Sequence, residues 1–135
     1  MEILEFSYKS HSFWLNEAFR DIDAVVNKAR KALESVQYDT MVGTGLSGSL
    51  VIPVLAREFG KYFAIVRKDE ARHSDLEIEG QIGHKWIFVD DFIGSGATRG
   101  RVKCAVNGVT GNPDLYVGSY LYHLDQYQTI DTGGY

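Results

Sequence analysis

Residues 86–98 read WIFVDDFIGSGAT, an apolar strand that runs into two consecutive carboxylates and then into a small-residue loop opening a helix. An ionised carboxylate is a pure hydrogen-bond acceptor, so Asp90 and Asp91 suit the donor hydroxyls of a sugar. Gly94 and Gly96 carry no Cβ, which lets Ile93, Gly94, Ser95, Gly96 and Ala97 turn tightly and present backbone N–H groups to an anion at the start of the next helix. Ser95 and Thr98 add hydroxyl donors. The pattern predicts a site for a phosphorylated sugar, with hydroxyls on the acid pair and phosphate on the loop.

Outward from this stretch the chain alternates strand and helix. Residues 38–42 form a short apolar strand that ends in Gly43-Thr44-Gly45-Leu46-Ser47-Gly48. A helix is expected over 49–59, with Pro53 in its first turns, where proline is tolerated, and Gly60 as its stop. Residues 62–66 make a second strand. The polar stretch 67–83 has little apolar periodicity and is expected to be a long loop or weak hairpin, a length that in small domains usually carries function or disorder. Residues 85–89 give the third strand, 97–106 a helix containing Cys104 as a packing residue, and 115–124 a fourth strand with Tyr116, Tyr120 and Tyr122. Upstream, Trp14, Ala18, Ile22, Val25, Val26, Ala29, Leu33 and Val36 form a helical stripe over 13–36. This order predicts an α/β fold, a mostly parallel sheet flanked by helices on both faces, with ligands beyond the carboxyl ends of the strands.

The 135 residues suit one domain, 1–135, burying roughly two-thirds of the unfolded surface. A net charge of −4 and a pI near 5.5 argue against a nucleic-acid partner, because non-specific binding to phosphate backbones draws on a basic face. Cys104 is the only cysteine, so there is no intramolecular disulfide framework, and no apolar run reaches the roughly eighteen residues of a membrane span. Without a basic-then-apolar leader at Met1, a cytoplasmic location is expected.

Gly43, Gly45 and Gly48 also satisfy a dinucleotide-binding fingerprint between a strand and a helix. That site wants an acidic residue roughly twenty positions on, at the end of the next strand. The chain has Val66, Arg67 and Lys68 there, which leaves an NADP-binding domain as an alternative but gives the 90–98 loop no task. A P-loop is excluded, since Gly48 precedes Ser49 and Leu50 where lysine and a hydroxyl residue are required.

The stretch 86–98 resembles the phosphoribosyl diphosphate signature of the type I phosphoribosyltransferases. The resemblance implies that Asp90 and Asp91 hold the ribose hydroxyls and that Ile93, Gly94, Ser95, Gly96, Ala97 and Thr98 hold the 5′-phosphate. It further implies that Thr44, Gly45, Leu46, Ser47 and Gly48 form the loop that binds pyrophosphate. Residues 64–74, AIVRKDEARHS, are similar to the strand and mobile loop of orotate phosphoribosyltransferases, which casts Arg67 and Lys68 as pyrophosphate ligands and Arg72 and His73 as catalytic residues over the leaving group. The resemblance runs in register from residue 38 to about 109 within a core of about 38–124. It leaves 1–12 and 125–135 as a minimal hood for the acceptor base.

Several expectations follow from that resemblance: Mg²⁺ bound through the substrate with no direct protein ligand, phosphoribosyl diphosphate as partner, and transfer to a small acceptor with release of pyrophosphate. Many relatives are homodimers that lend loop residues across the interface. Gly94 stands where 6-oxopurine enzymes carry an aspartate that helps the purine lose a proton, so a pyrimidine is favoured over hypoxanthine or guanine. A non-enzymatic phosphoribosyl diphosphate sensor remains the alternative from a different class.

Overall fold

A computed structural model describes residues 18–67 and 77–129. The elements in chain order are α1 (Ile22–Ala32), β1 (Thr40–Thr44), α2 (Gly45–Phe59), β2 (Tyr62–Val66), β3 (Ile78–Gly80), β4 (Trp86–Asp90), α3 (Ala97–Thr110), a single 3₁₀ turn at Pro113–Leu115, β5 (Tyr116–Leu121) and β6 (Gln126–Gln128). They build one six-stranded sheet of order β3-β2-β1-β4-β5-β6. The four inner strands are parallel, and the two three-residue edge strands run antiparallel to their neighbours.

Successive strand residues point to opposite faces, and both faces are covered, so the inner strands are nearly continuously apolar. Met41, Ile87 and Val89 meet α1 and α2 through Val26, Ala29, Val51, Ile52 and Leu55. Their sequence neighbours Val42, Trp86 and Phe88 meet α3 through Val102, Ala105 and Val106 on the other side. At the foot of the sheet the Asp39 carboxylate accepts the Thr40 hydroxyl at 2.7 Å and the His84 and Lys85 amides at 2.8 and 3.2 Å. Burial pulls its pKa up, but these hydrogen bonds outweigh it and hold the carboxyl below its ordinary value.

Three boundaries differ from the sequence expectation. The first helix is observed over Ile22–Ala32, capped by the Asp21 carboxylate on the Ala24 amide at 3.2 Å; the first part of the expected 13–36 span lies outside the described residues. The second helix begins at Gly45 rather than Ser49, because Thr44 is extended and Gly45, at φ +69°, makes the whole turn by itself. Pro53 therefore lies mid-helix, where it cannot donate to the Ser49 carbonyl, rather than in the first turns. Within the 67–83 stretch, expected as a long loop or weak hairpin, residues 78–80 form β3, antiparallel to β2.

The fourth strand stops at Leu121, since residues 122–125 turn, with Asp125 at φ +50°, and lead into β6. A register shift between Trp86 and Ile87 on β4, opposite Val117, also breaks the tyrosine alternation. Tyr116 thus stacks on Trp86 over the α3 face, while Tyr120 is buried toward α1 and α2. Cys104 is exposed on α3 rather than packed.

Candidate functional site

The chain leaves β1 toward β2 on one side and returns through β4 on the other, so the carboxyl ends of β1 and β4 flank a topological switch point. Asp90 ends β4 and Asp91 follows it. The turn after β5 pins both, the Tyr122 amide donating to the Asp90 carbonyl at 3.0 Å and the His123 amide to the Asp91 carbonyl at 2.9 Å. Asp90 Oδ1 accepts the Asp91 amide at 2.9 Å, and Asp91 Oδ1 accepts the Phe92 amide at 2.7 Å. The other oxygen of Asp91 takes the Ser47 hydroxyl at 3.1 Å, bridging the β4 loop to the first turn of α2.

Two cavities open on either side of this acid pair. One, of about 250 Å³, is enclosed by Asp90, Asp91 and the run Phe92 to Gly96 with Thr98, over Phe88 and Arg99. The other, of about 450 Å³, is lined by Thr44, Gly45, Leu46, Ser47, Asp90, Asp91 and Thr98. Gly96, at φ +87°, turns the chain into α3 without a side-chain cap, and the first turn of α3 carries no acid. The Ser95 hydroxyl takes the Ala97 amide at 3.2 Å. Beyond Ala97, first-turn amides that the N-cap residue leaves without a side-chain acceptor, at the positive end of a helix, favour an anion. Gly94, by contrast, has nothing within 4 Å of an added Cβ and no left-handed φ.

The glycine motif after β1 divides its tasks. Gly45 makes the turn, whereas Gly43 and Gly48 let β1 and α2 touch: a Cβ on Gly43 would collide with Ile52 and come 2.8 Å from the Val89 carbonyl oxygen. Gly48 is buried within α2 and faces Gly43, so of the expected pyrophosphate loop only Thr44, Gly45, Leu46 and Ser47 line the cleft. Thr44 itself is buried, its hydroxyl donating to the Val66 carbonyl at 2.7 Å.

Arg67 stands apart from the acid pair. Its guanidinium is paired with Glu79 of β3 at 2.7 Å, in an adjoining cavity of about 440 Å³ shared with Gly45, Leu46 and Ser49. Lys68, Arg72 and His73 lie outside the described residues.

Two neighbours of the cleft, Arg99 and Arg101, were not singled out by the sequence reading, and it gives a third, Tyr122, a base-stacking role only as the lesser alternative. Arg99 is fully buried in α3 beneath the loop. Arg101, two residues on, donates to Thr44 Oγ1 at 3.1 Å and the Arg67 carbonyl at 3.3 Å, tying the ends of β1 and β2 to α3. Tyr122, read mainly as a strand residue, is buried beside Ser47 and the acid pair. Burial first, then the charges of Asp91 and Asp90, push its hydroxyl up to about 12, so it stays neutral. The spacing of Arg99 with Val102 and Val106 could have flagged the first of these, since it puts a cation on the buried stripe of α3.

Among the described residues no three His, Cys, Asp or Glu side chains converge as a metal site, and no helix is long and apolar enough to cross a membrane.

No family model matches the sequence, and no curated protein does either. Solved structures are similar. Orotate phosphoribosyltransferase from Aeropyrum pernix superposes with a TM-score of 0.57 at 16% identity, over 70% of this chain and 56% of that one. Adenine phosphoribosyltransferase from Thermoanaerobacter pseudethanolicus gives 0.52 at 17%, over 72% of this chain and 65% of that one. The Giardia lamblia adenine enzyme, complexed with 9-deazaadenine, gives 0.59 at 18%, over 83% and 71%. The chain thus spans a little over half the length of the orotate enzyme and just under two-thirds of the Thermoanaerobacter one. The six-stranded, mostly parallel sheet with its flanking helices is the fold of the type I phosphoribosyltransferases.

Proposed function

We propose that the chain binds phosphoribosyl diphosphate with Mg²⁺ and transfers its phosphoribosyl group to a small acceptor, releasing pyrophosphate. The observation that carries this reading is the convergence, at one switch point, of an acid pair, an uncapped helix start behind Ser95 and Gly96, and the Thr44–Ser47 turn. Ribose hydroxyls fall to Asp90 and Asp91, the 5′-phosphate to the loop and the α3 amides, and pyrophosphate to the cleft beside the α2 start.

Two adjacent carboxylates, with no third acid converging on them among the described residues, suit a Mg²⁺ ion that takes most of its ligands from phosphate and sugar oxygens. Asp90 and Asp91 would hold it through the sugar, and it would supply positive charge to the departing pyrophosphate. In the transfer the bond from the anomeric carbon to the pyrophosphate oxygen breaks as a bond to the acceptor nitrogen forms, with oxocarbenium character between. Such a step needs fixed geometry and charge support more than a strong base. Arg67 joins that support by exchanging Glu79 for a phosphate oxygen, and Arg72 and His73 close over the leaving group and exclude water.

Gly94 offers no proton relay at the acceptor side, which favours an acceptor already ionised or nucleophilic, such as an orotate-like pyrimidine. The test is calorimetric titration of phosphoribosyl diphosphate with and without Mg²⁺, followed by pyrophosphate release and nucleotide formation with orotate, uracil, adenine, hypoxanthine and guanine. Orotate-type turnover supports the full reading. Binding without transfer to any base identifies a sensor, and preference for NADP over phosphoribosyl diphosphate overturns the assignment. Robust transfer to hypoxanthine or guanine refutes the acceptor argument alone.

A further inference from the structure

Arg101 stands in α3 three residues after Thr98, a spacing that puts the two on one face of the helix. Thr98 lines both cavities beside the acid pair, whereas Arg101 lines neither of them, nor the cavity that holds Arg67. The guanidinium is spent on protein acceptors instead. Nη2 donates to Thr44 Oγ1 at 3.1 Å, and Nη1 donates to the Arg67 carbonyl at 3.3 Å. The Thr44 hydroxyl has a single proton and gives it to the Val66 carbonyl at 2.7 Å, so its lone pairs are left to accept the guanidinium.

Thr44 and Val66 are register partners at the ends of two parallel strands, and from there the chain leaves in two directions. Thr44 starts the turn that lines the 450 Å³ cavity, and Arg67 opens the stretch toward β3. These are the two segments assigned to pyrophosphate. The ladder between β1 and β2 ends at the Thr44 and Val66 pair, so beyond it Arg101 links the departing segments from α3. A planar fork reaches two acceptors on separate segments at a fixed spacing, which an ammonium on a flexible stem does not do.

We propose that Arg101 is a positioning residue: it fixes the Thr44–Ser47 turn and Arg67 relative to each other, so that both meet one pyrophosphate group, without itself touching the ligand. This rests on the reading of the cleft as a phosphoribosyl diphosphate site. The 5′-phosphate subsite at Ser95 and Gly96 belongs to the other cavity and does not depend on this link.

The experiment titrates the full chain, by calorimetry, with Mg²⁺-pyrophosphate and with ribose 5-phosphate, for the wild type, Arg101→Met and Arg101→Lys. Arg101→Met should weaken pyrophosphate by about 5- to 30-fold while ribose 5-phosphate stays within about twofold of wild type. Arg101→Lys keeps the charge but not the fork, and should lose about threefold or more of the pyrophosphate affinity, again with ribose 5-phosphate unchanged. Full pyrophosphate affinity in either variant refutes positioning, and in the Lys variant it shows that the charge alone counts. Should the Met variant fail to fold, the Lys variant decides. Equal losses for both ligands make Arg101 a general support of the fold and overturn the proposal. Those outcomes leave the reading of the cleft standing, whereas a wild type that does not bind pyrophosphate overturns that reading itself.

Discussion

Replacing Gly43 by alanine tests whether the glycines after β1 serve packing. The new Cβ would meet the Ile52 side chain, stand 2.8 Å from the Val89 carbonyl oxygen and 3.4 Å from the Gly48 Cα. Ile52 can rotate, but the other two neighbours are backbone of β4 and α2 and move only with their elements. Overpacking a tight core costs about 1–3 kcal/mol, and a backbone obstacle places this case near the upper end. Loss of glycine freedom in the unfolded chain offsets about 0.4–1 kcal/mol, leaving a net destabilisation of about 2 kcal/mol. For a chain of 135 residues that is a fall of roughly 6–10 °C in thermal midpoint. Gly94→Ala is the matched control: its Cβ meets nothing and its φ is not left-handed, so its midpoint should hold or rise slightly. Thermal and urea unfolding followed by circular dichroism reads both. Equal midpoints for Gly43→Ala and Gly94→Ala would refute the packing argument.

Exchanging both Asp90 and Asp91 for asparagine should weaken Mg²⁺-dependent phosphoribosyl diphosphate binding by several-fold to a few hundred-fold, about 1–3 kcal/mol, with the fold intact; unchanged calorimetric affinity would remove the acid pair from the site. Gly96→Val, forced to φ +87° in a β-branched residue, should abolish that binding while leaving a folded chain, and wild-type affinity would place the phosphate cradle elsewhere. Arg72→Ala and His73→Ala should lower turnover far more than ligand affinity, because groups aimed at departing charge act in the transition state; equal losses would make them a binding clamp. Asp39 has a lowered folded pKa, so its stabilisation is present above the unfolded value of about 3.9 and disappears as pH falls through the folded one. In Asp39→Asn the urea midpoint should be lower at pH 7 and decline less toward pH 2, and identical acid limbs for the two proteins would count against that role.

The inner sheet and its two loops were legible because their signals are local. The apolar run 86–89 has few structural outcomes, and the Gly45 and Gly96 turns are set by backbone freedom. What sequence missed depends on tertiary contacts. The start of α2 moved to Gly45 because Gly43 and Gly48 bring helix and strand together, an approach no propensity reports. The end of β5 is fixed by the Tyr120 hydroxyl donating to Asp125 at 2.6 Å across a turn, and the tyrosine pattern by a register shift against β4. In the cleft, residue types announced Asp90, Asp91 and Ser95. The links from Ser47 to Asp91 and from Arg101 to Thr44 join residues 44 and 57 positions apart, and only the folded sheet brings them together.

The hydrogen bond from Ser47 to Asp91 bears on selectivity between sugars. In the free protein that carboxylate oxygen is already satisfied, so a sugar hydroxyl arriving there exchanges one donor for another and gains little enthalpy. A bare pentose would find the acid pair occupied at near-equal strength. Only a ligand that brings anionic groups to the uncapped start of α3 has a surplus with which to displace the serine. On the proposed reading of the cleft, an internal competitor of this kind would keep it silent to free polyols while leaving it responsive to their phosphorylated forms.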